Sequence, residues 1–352
     1  MNRKIWLMEG LSSQKDIIEG VKAFAHKQKF CITVFASHRH ERNEILSVAD
    51  CSLIEPKDSD KRLQFILETV AQYGINSIHT GRHSLWFEEN RAAIEASGVT
   101  LTTGATGTDW LTLSEEKVTF AQFMEQNRLP VVPSWRVNTL TELKAHLASP
   151  PFSDSPVCVK PVTGIYGMGF WRFDDAASSM DIFNYPESRT VNPQQYIAAA
   201  SRAESFKPLV LMPYLPGPEF SVDILADKGE ILAAVGRRKE GAIQYLVNAG
   251  EAFELACACA RTMKADGLVN VQIRNDHTGK PVLLETNMRP SGGIGYTLHS
   301  GVNLPGLFAA YKLGLMQKVD VIGNARTSFS PVAVRSVTDV IVYPEQLTNK
   351  LN

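Results

Sequence analysis

Over the first hundred residues, short apolar runs at 5–8, 31–36, 52–54, 77–79 and 99–102 alternate with longer stretches of helical spacing, such as 16–27 and 62–73. Strand-length runs separated by helix-length segments predict βαβ units around a parallel sheet. The turn after the first run, Glu9-Gly10-Leu11-Ser12, lacks the G-x-G-x-x-G fingerprint of dinucleotide sites. The pattern therefore predicts a Rossmann-like topology without NAD.

The rhythm then changes. Ser114 has the chemistry of an N-cap for a helix over 115–127, with Pro130 and Pro133 beyond its end, and Thr139 or Thr141 opens another short helix. The prolines at 150, 151 and 156 make 149–156 a loop. A strand at 157–160 and a partner at 170–173 flank a glycine loop. Further strands follow at 209–215, 221–226 and 231–235, the last two joined by the turn Asp227-Lys228-Gly229-Glu230. A helix over 251–264 precedes strands at 268–274 and 282–286. This half reads as α+β and largely antiparallel. The tail beyond 319 holds two short apolar runs, 332–334 and 340–342, to which the pattern assigns no role.

Composition narrows the class. A chain of 352 residues exceeds what one core usually organises, so two or three domains are expected. The net charge of −1 and the lack of a basic stripe argue against nucleic-acid or membrane-surface partners. The N-terminus has no signal-peptide apolar region, and no later run is long enough to span a bilayer. Five scattered cysteines with no C-x-x-C pair read as reduced thiols in a cytoplasmic protein, and Cys257 and Cys259 as core residues of a helix.

Four segments carry candidate chemistry. In the first, a strand ends on Lys160, and Gly164, Gly167 and Gly169 follow before the next strand. Glycines free backbone N–H groups to approach phosphate oxygens and the lysine adds a point charge, although a plain hairpin with a mobile tip fits as well. No Walker A motif is present. In the second, an apolar strand through Met212 and Tyr214 runs into Leu215-Pro216-Gly217-Pro218-Glu219. Such a strand offers a dry wall for adenine, and Glu219 can accept both hydrogen bonds of a ribose diol; a turn with a solvated glutamate is the alternative.

In the third, Glu285 and Asn287 stand two apart on one strand and share a face. If 277–280 is a four-residue connection, Gln272 lies opposite Glu285, and three oxygen-bearing side chains converge as hard Mg²⁺ prefers. Arg289, just beyond, can reach a phosphoryl group with a bidentate fork. The wet face of a half-buried hairpin would look the same. The fourth is the positive cluster Arg237-Arg238-Lys239, equally readable as a solvated strand end. His38 and His40 lack a third metal ligand nearby in sequence.

The order of these segments resembles the ATP-grasp superfamily, from about Ser114 to Pro305. The resemblance implies α/β plus α+β architecture: a Rossmann-like pre-ATP-grasp domain (1–113), a small lobe with a glycine lid (114–207), a large lobe with a metal site (208–325) and a tail (326–352). It implies Lys117 as the first ATP lysine and Lys160 as the second, residues 164–169 as the lid, and Met212-Pro213-Tyr214 as the adenine hinge. The acidic–lysine pair usual at that hinge is replaced here by Met212-Pro213. Glu219 matches the ribose-binding glutamate, and Gln272, Glu285 and Asn287 match the metal set of the carbamoyl-phosphate synthetase branch. Arg289 matches the arginine that follows that set, and either Arg237 or Arg238 takes the position that meets an acyl-phosphate.

The implied reaction joins a carboxylate to an amine through an acyl-phosphate, with ATP and Mg²⁺ (or Mn²⁺), on small-molecule substrates, in a protein of a type that is often dimeric. The rivals are bicarbonate activation, as in carboxylases, and an ATP-binding regulatory module without turnover. Substrate is expected to enter near residues 10–12 or 102–105, at strand ends of the first domain.

Overall fold

The computed structural model describes residues 2–10, 13–152, 155–164 and 167–336. Strands β1 (Arg3–Leu7), β2 (Ile32–His38), β3 (Cys51–Ile54), β4 (Ser77–His79) and β5 (Thr100–Thr102) form a parallel sheet in the order β3-β2-β1-β4-β5. Its strands alternate between two cores because successive side chains point to opposite faces. Ile5 and Leu7 pack with helix Gln14–Gln28 and helix Leu304–Lys312, whereas Trp6 and Met8 pack with helix Ser59–Tyr73. Helix Ser59–Tyr73 starts at Asp58, whose carboxylate accepts from the Asp60 N–H, and stops at Gly74 in the left-handed region. The strand order reverses between β1 and β4, which opens a crevice at the ends of those two strands.

The two-residue strand β6 (Gly104–Ala105) carries the chain out of this sheet by pairing with Ala265 and Asp266. The second sheet contains β7 (Trp135–Val137), β8 (Val157–Pro161), β9 (Trp171–Phe173), β10 (Thr190–Val191) and β11 (Leu209–Pro213), in the order β10-β9-β8-β11-β7. The third contains β12 (Glu219–Asp227), β13 (Glu230–Glu240), β14 (Ile243–Val247), β15 (Ala265–Asn275), β16 (Pro281–Asn287) and β17 (Val332–Arg335), in the order β16-β15-β12-β13-β14-β17. All pairings of the third sheet are antiparallel. The tail thus gains a role the pattern did not reveal: β17 is an edge strand on β14. The second apolar run of the tail, 340–342, lies outside the described residues.

One helix start needs correcting. The expected helix from Ser114 is two helices, Thr108–Glu115 and Lys117–Gln126, broken at Glu116. The Glu116 carboxylate accepts from the N–H groups of Val118 and Thr119, at 3.2 and 2.7 Å. The Ser114 hydroxyl instead donates back to the Leu111 carbonyl within the preceding helix. A longer acidic side chain at the break satisfies two orphan donors, which a serine inside a helix cannot do. Thr139 caps helix Leu140–Ala148 as expected, accepting from the Glu142 N–H at 3.1 Å.

The connection between β15 and β16 is also longer than expected. It spans residues 276–280, five rather than four, and a bulge between Gln272 and Ile273 restores the register. Gln272 therefore does lie opposite Glu285, and Asn270 opposite Asn287. A bulge re-aims the side chains beside it, and here it keeps the polar face of both strands together.

Candidate active site

Between the second and third sheets lies a cavity of about 480 Å³, a size that suits a nucleotide. Each wall supplies a different chemistry. Lys160 enters from β8, paired at Val210 of β11, and is almost wholly buried. Burial pushes its ammonium pKa down; Glu285 opposes this and Lys117 adds to it. Lys117 opens helix Lys117–Gln126, and its Nζ lies 3.5 Å from the Val162 carbonyl and 3.3 Å from that of Gly164. The first lysine thus touches the foot of the glycine loop directly. Glu285 Oε2 sits 3.5 Å from Lys160 Nζ and 4.0 Å from Lys117 Nζ, so one carboxylate faces both cations.

Gly164, Gly167 and Gly169 all hold positive φ, and Gly164 and Gly167 line the cavity with Met168 and Phe170. A Cβ on Gly169 would lie 2.8 Å from the Pro161 ring, so the loop can turn back over the strand only with glycine there. Ile165 and Tyr166 of this segment lie outside the described residues.

Met212 and Tyr214 form the apolar wall with Cys158, whose thiol burial pushes up to about 12, so it stays protonated. The Tyr214 ring lies under two guanidiniums, Arg172 at 5.0 Å and Arg274 at 5.8 Å from its centroid. Arg274 Nε also donates to the Gly217 carbonyl at 3.0 Å, fastening the proline–glycine turn to β15. Glu219 reaches the cavity at the start of β12 and pairs with Lys239.

Gln272, Glu285 and Asn287 line the same cavity, beside Asn270 and Arg289. Among the described residues no group of three or more His, Cys, Asp or Glu side chains could hold a metal. The candidate set has one carboxylate and two amides, which suits a hard cation that takes its remaining ligands from phosphates and water. Soft or imidazole-seeking metals are not matched by these donors.

The two arginines left open by the sequence are separated by the pleat. Arg237 lines the cavity and is 3% exposed, while Arg238 does not line it and stacks on Tyr245 at 4.8 Å. Arg237 is fixed by four hydrogen bonds: Nε to Asp223 Oδ2 (2.9 Å), Nη1 to Gln244 Oε1 (2.9 Å), and Nη2 to Ser221 Oγ (2.9 Å) and Ser291 Oγ (2.8 Å). Asp223 also accepts from Asn270 Nδ2 at 3.0 Å. Sequence reasoning missed Asp223, Ser221, Asn270 and Ser291. Asn270 did carry a signal, since it stands two residues before Gln272 and must share its face. Asp223 carried none, because an aspartate inside an apolar run reads equally as a solvated edge.

Of the proposed entry points, Gly104 and Ala105 are buried in β6 against β15, and Thr102 and Thr103 are buried too. Leu11 and Ser12 lie outside the described residues. A second cavity of about 330 Å³ instead opens beside the first, sharing Lys117, Gly164, Glu285, Asn287 and Arg289, and reaching Arg82 and His83 after β4. His38 accepts from the His40 N–H at 3.0 Å and lies on neither cavity. The five cysteines are free, and no described helix is long and apolar enough to cross a membrane.

A mixed sheet and an antiparallel sheet close on a lysine-lined cavity beside a parallel αβ layer, as in the ATP-grasp fold. Residues 205–340 match the family described as ATP-grasp in the biosynthetic pathway with Ter operon. The carbamoyl phosphate synthase large chain of Thermomicrobium roseum is 27% identical over 221 residues, 57% of this chain and 18% of that one. The chain therefore spans a small part of that relative's length. Among solved structures, the ADP complex of the N5-carboxyaminoimidazole ribonucleotide synthetase PurK superposes with a TM-score of 0.62 at 16% identity, covering 89% of this chain and 77% of its own. An L-amino acid ligase from Bacillus licheniformis superposes with a TM-score of 0.60 at 17% identity, covering 94% and 78%.

Proposed function

We propose that the protein is an ATP-dependent carboxylate–amine ligase working through an acyl-phosphate. The observation that carries this reading is the convergence of Lys117, Lys160, Glu285, Asn287 and Arg289 on one cavity from three separate parts of the chain. Phosphoryl transfer needs positioning and charge neutralisation rather than a protein nucleophile, and these groups supply both. Residues 1–113 act as the Rossmann-like companion domain, 114–207 and 208–325 as the two lobes, and 326–352 as a tail whose strand completes the large lobe.

Adenine lies between Met212 and Tyr214, with Glu219 on the ribose. Lys117 and Lys160 turn from Glu285 to the phosphates, since a buried ammonium keeps whichever anion is nearest. Glu285, released, would join Gln272 and Asn287 in holding Mg²⁺ (or Mn²⁺). Bound there, the ion would neutralise negative charge on the transferred phosphoryl group. A substrate carboxylate oxygen attacks the γ-phosphorus, and ADP leaves. An amine nitrogen then attacks the acyl carbon, and phosphate leaves. Arg289 steadies the transferred phosphoryl group, and Arg237 the acyl-phosphate. Gly164 and residues 167–169 cover the site and exclude water, which would hydrolyse the mixed anhydride.

The test is ADP and AMP release from Mg-ATP with pooled acids and amines, for the native chain and Glu285→Ala. Acid-dependent ADP without AMP, lost in the variant, is expected. AMP release would mean adenylation and would overturn the proposed chemistry.

A further inference from the structure

The second cavity has a charge pattern that the nucleotide does not account for. At its far end β4 leads into Gly81, Arg82 and His83, with φ of 61° at Gly81 and 57° at His83. A Cβ on Gly81 would lie 2.7 Å from the Glu9 carbonyl, so the turn is pressed against the end of β1. A non-glycine residue in the left-handed region is uncommon, and here it sits at the topological switch of the parallel sheet. This is the place where Arg82 and His83 enter the cavity wall.

The local ions are unequal in number. Glu9, 2% exposed, is held by Arg39 through both carboxylate oxygens, and Arg39 also contacts His83. Arg82 approaches Glu9 only to 3.7 Å, beyond hydrogen-bond range. The neighbouring Glu55 is already occupied by Arg62 at 2.6 Å and by Ser37 at 2.7 Å. One carboxylate therefore faces two guanidiniums, and the Arg82 charge is left for the cavity. Arg289 and Lys117 line the same space from the other parts of the chain. Against them stand Glu285, which the metal and lysines claim, and the exposed Glu115.

We propose that this cavity binds the acid substrate, and that the acid carries a second anionic group, carboxylate or phosphate, paired with Arg82 while its reacting carboxylate lies by Asn287 and Arg289. The assignment of the reacting end rests on the ligase reading; the recognition of a dianion by Arg82 does not. Arg82, 3.7 Å from Glu9 and 40% exposed, has no close hydrogen-bonded anion among the described residues, and a second anionic group on the acid would supply one that a monoanionic acid cannot.

The experiment has two readouts. Binding of glutarate, L-glutamate, 3-phosphonopropionate and the monoanion butyrate is titrated calorimetrically onto the protein with Mg-ADP. Hydroxamate formation is then followed with Mg-ATP and hydroxylamine, which traps an acyl-phosphate without the natural amine. The native protein should bind at least one dianion about tenfold or more tightly than butyrate, with the carboxylate and phosphonate arms telling which second anion fits. Arg82→Ala should remove that preference and Arg82→Lys should keep part of it, with ADP affinity unchanged in both as the check on folding. Equal binding of butyrate, no binding of any dianion, or a preference that survives Arg82→Ala would overturn the proposal. Arg82-dependent binding without hydroxamate would keep it and remove the ligase reading instead. Hydroxamate formed equally well from butyrate would do the reverse.

Discussion

Asp223→Asn replaces one buried oxygen by an NH₂ group and leaves Arg237 without its counter-charge. Both residues are nearly inaccessible, Asp223 at 0% and Arg237 at 3%. The native carboxylate accepts from Arg237 Nε at 2.9 Å and from Asn270 Nδ2 at 3.0 Å. An asparagine has one acceptor oxygen for those two donors, and its own NH₂ then meets a guanidinium or another amide. Removing one member of a buried ion pair costs about 3–5 kcal/mol, because the remaining charge cannot reach water. That is a large part of the roughly 5–15 kcal/mol a folded protein has in total. Urea unfolding should show the loss, and turnover should fall further than ADP affinity, since Arg237 lines the cavity without holding the adenine. The cycle closes with Asp223→Leu, Arg237→Met and Asp223→Leu/Arg237→Met. The double variant should be less destabilised than the sum of the single changes by about 2 kcal/mol or more. Additive single losses, or an Asp223→Asn cost below about 1 kcal/mol, would refute the claim that this pair is what fixes Arg237.

The remaining predictions address other parts of the molecule. Gly293→Ala places a Cβ 2.5 Å from Arg237 Nη1 and 2.8 Å from its Cζ, so it should cost about 1–3 kcal/mol in thermal or urea unfolding and lower kcat more than nucleotide affinity. Glu116→Ala removes the cap of the helix that begins with Lys117; a loss of about 1 kcal/mol and weaker ATP binding are expected, with Glu116→Asp restoring most of both. Burial holds the His79 imidazole down at about 4, against 6.5 when exposed, with the Thr102 backbone opposing the shift and the Lys312 charge adding to it. The unfolded chain takes up that proton first as pH falls, so stability should be level above pH 6.5 and decline by about 3 kcal/mol on the way to pH 4. His79→Leu should flatten that segment of the stability–pH curve, and an unchanged slope would show that other groups produce it.

Much of this site was legible because its signals are local. Lys160 at a strand end before three glycines, Glu285 and Asn287 at period two, and the proline–glycine turn before Glu219 depend on chain geometry that neighbouring residues fix. The same holds for the parallel sheet, whose alternating apolar runs survive in every strand from β1 to β5. What the sequence left open required knowledge of which side of an element is covered. Arg237 and Arg238 point to opposite faces of β13 by the pleat alone, but only the packing of β12, β14 and residues 291–293 decides that the first faces the cavity between the second and third sheets. The Gln272–Glu285 pair was expected from a four-residue connection and is achieved by a five-residue one with a bulge, since the pull of the polar face on register outweighs loop length. Ser114 lost its capping role because the chain breaks at Glu116, whose carboxylate takes the N–H groups of Val118 and Thr119. Arg82, His83 and Asp223 have no sequence signature at all: their charges matter only where the fold removes water and counts the ions left facing one another.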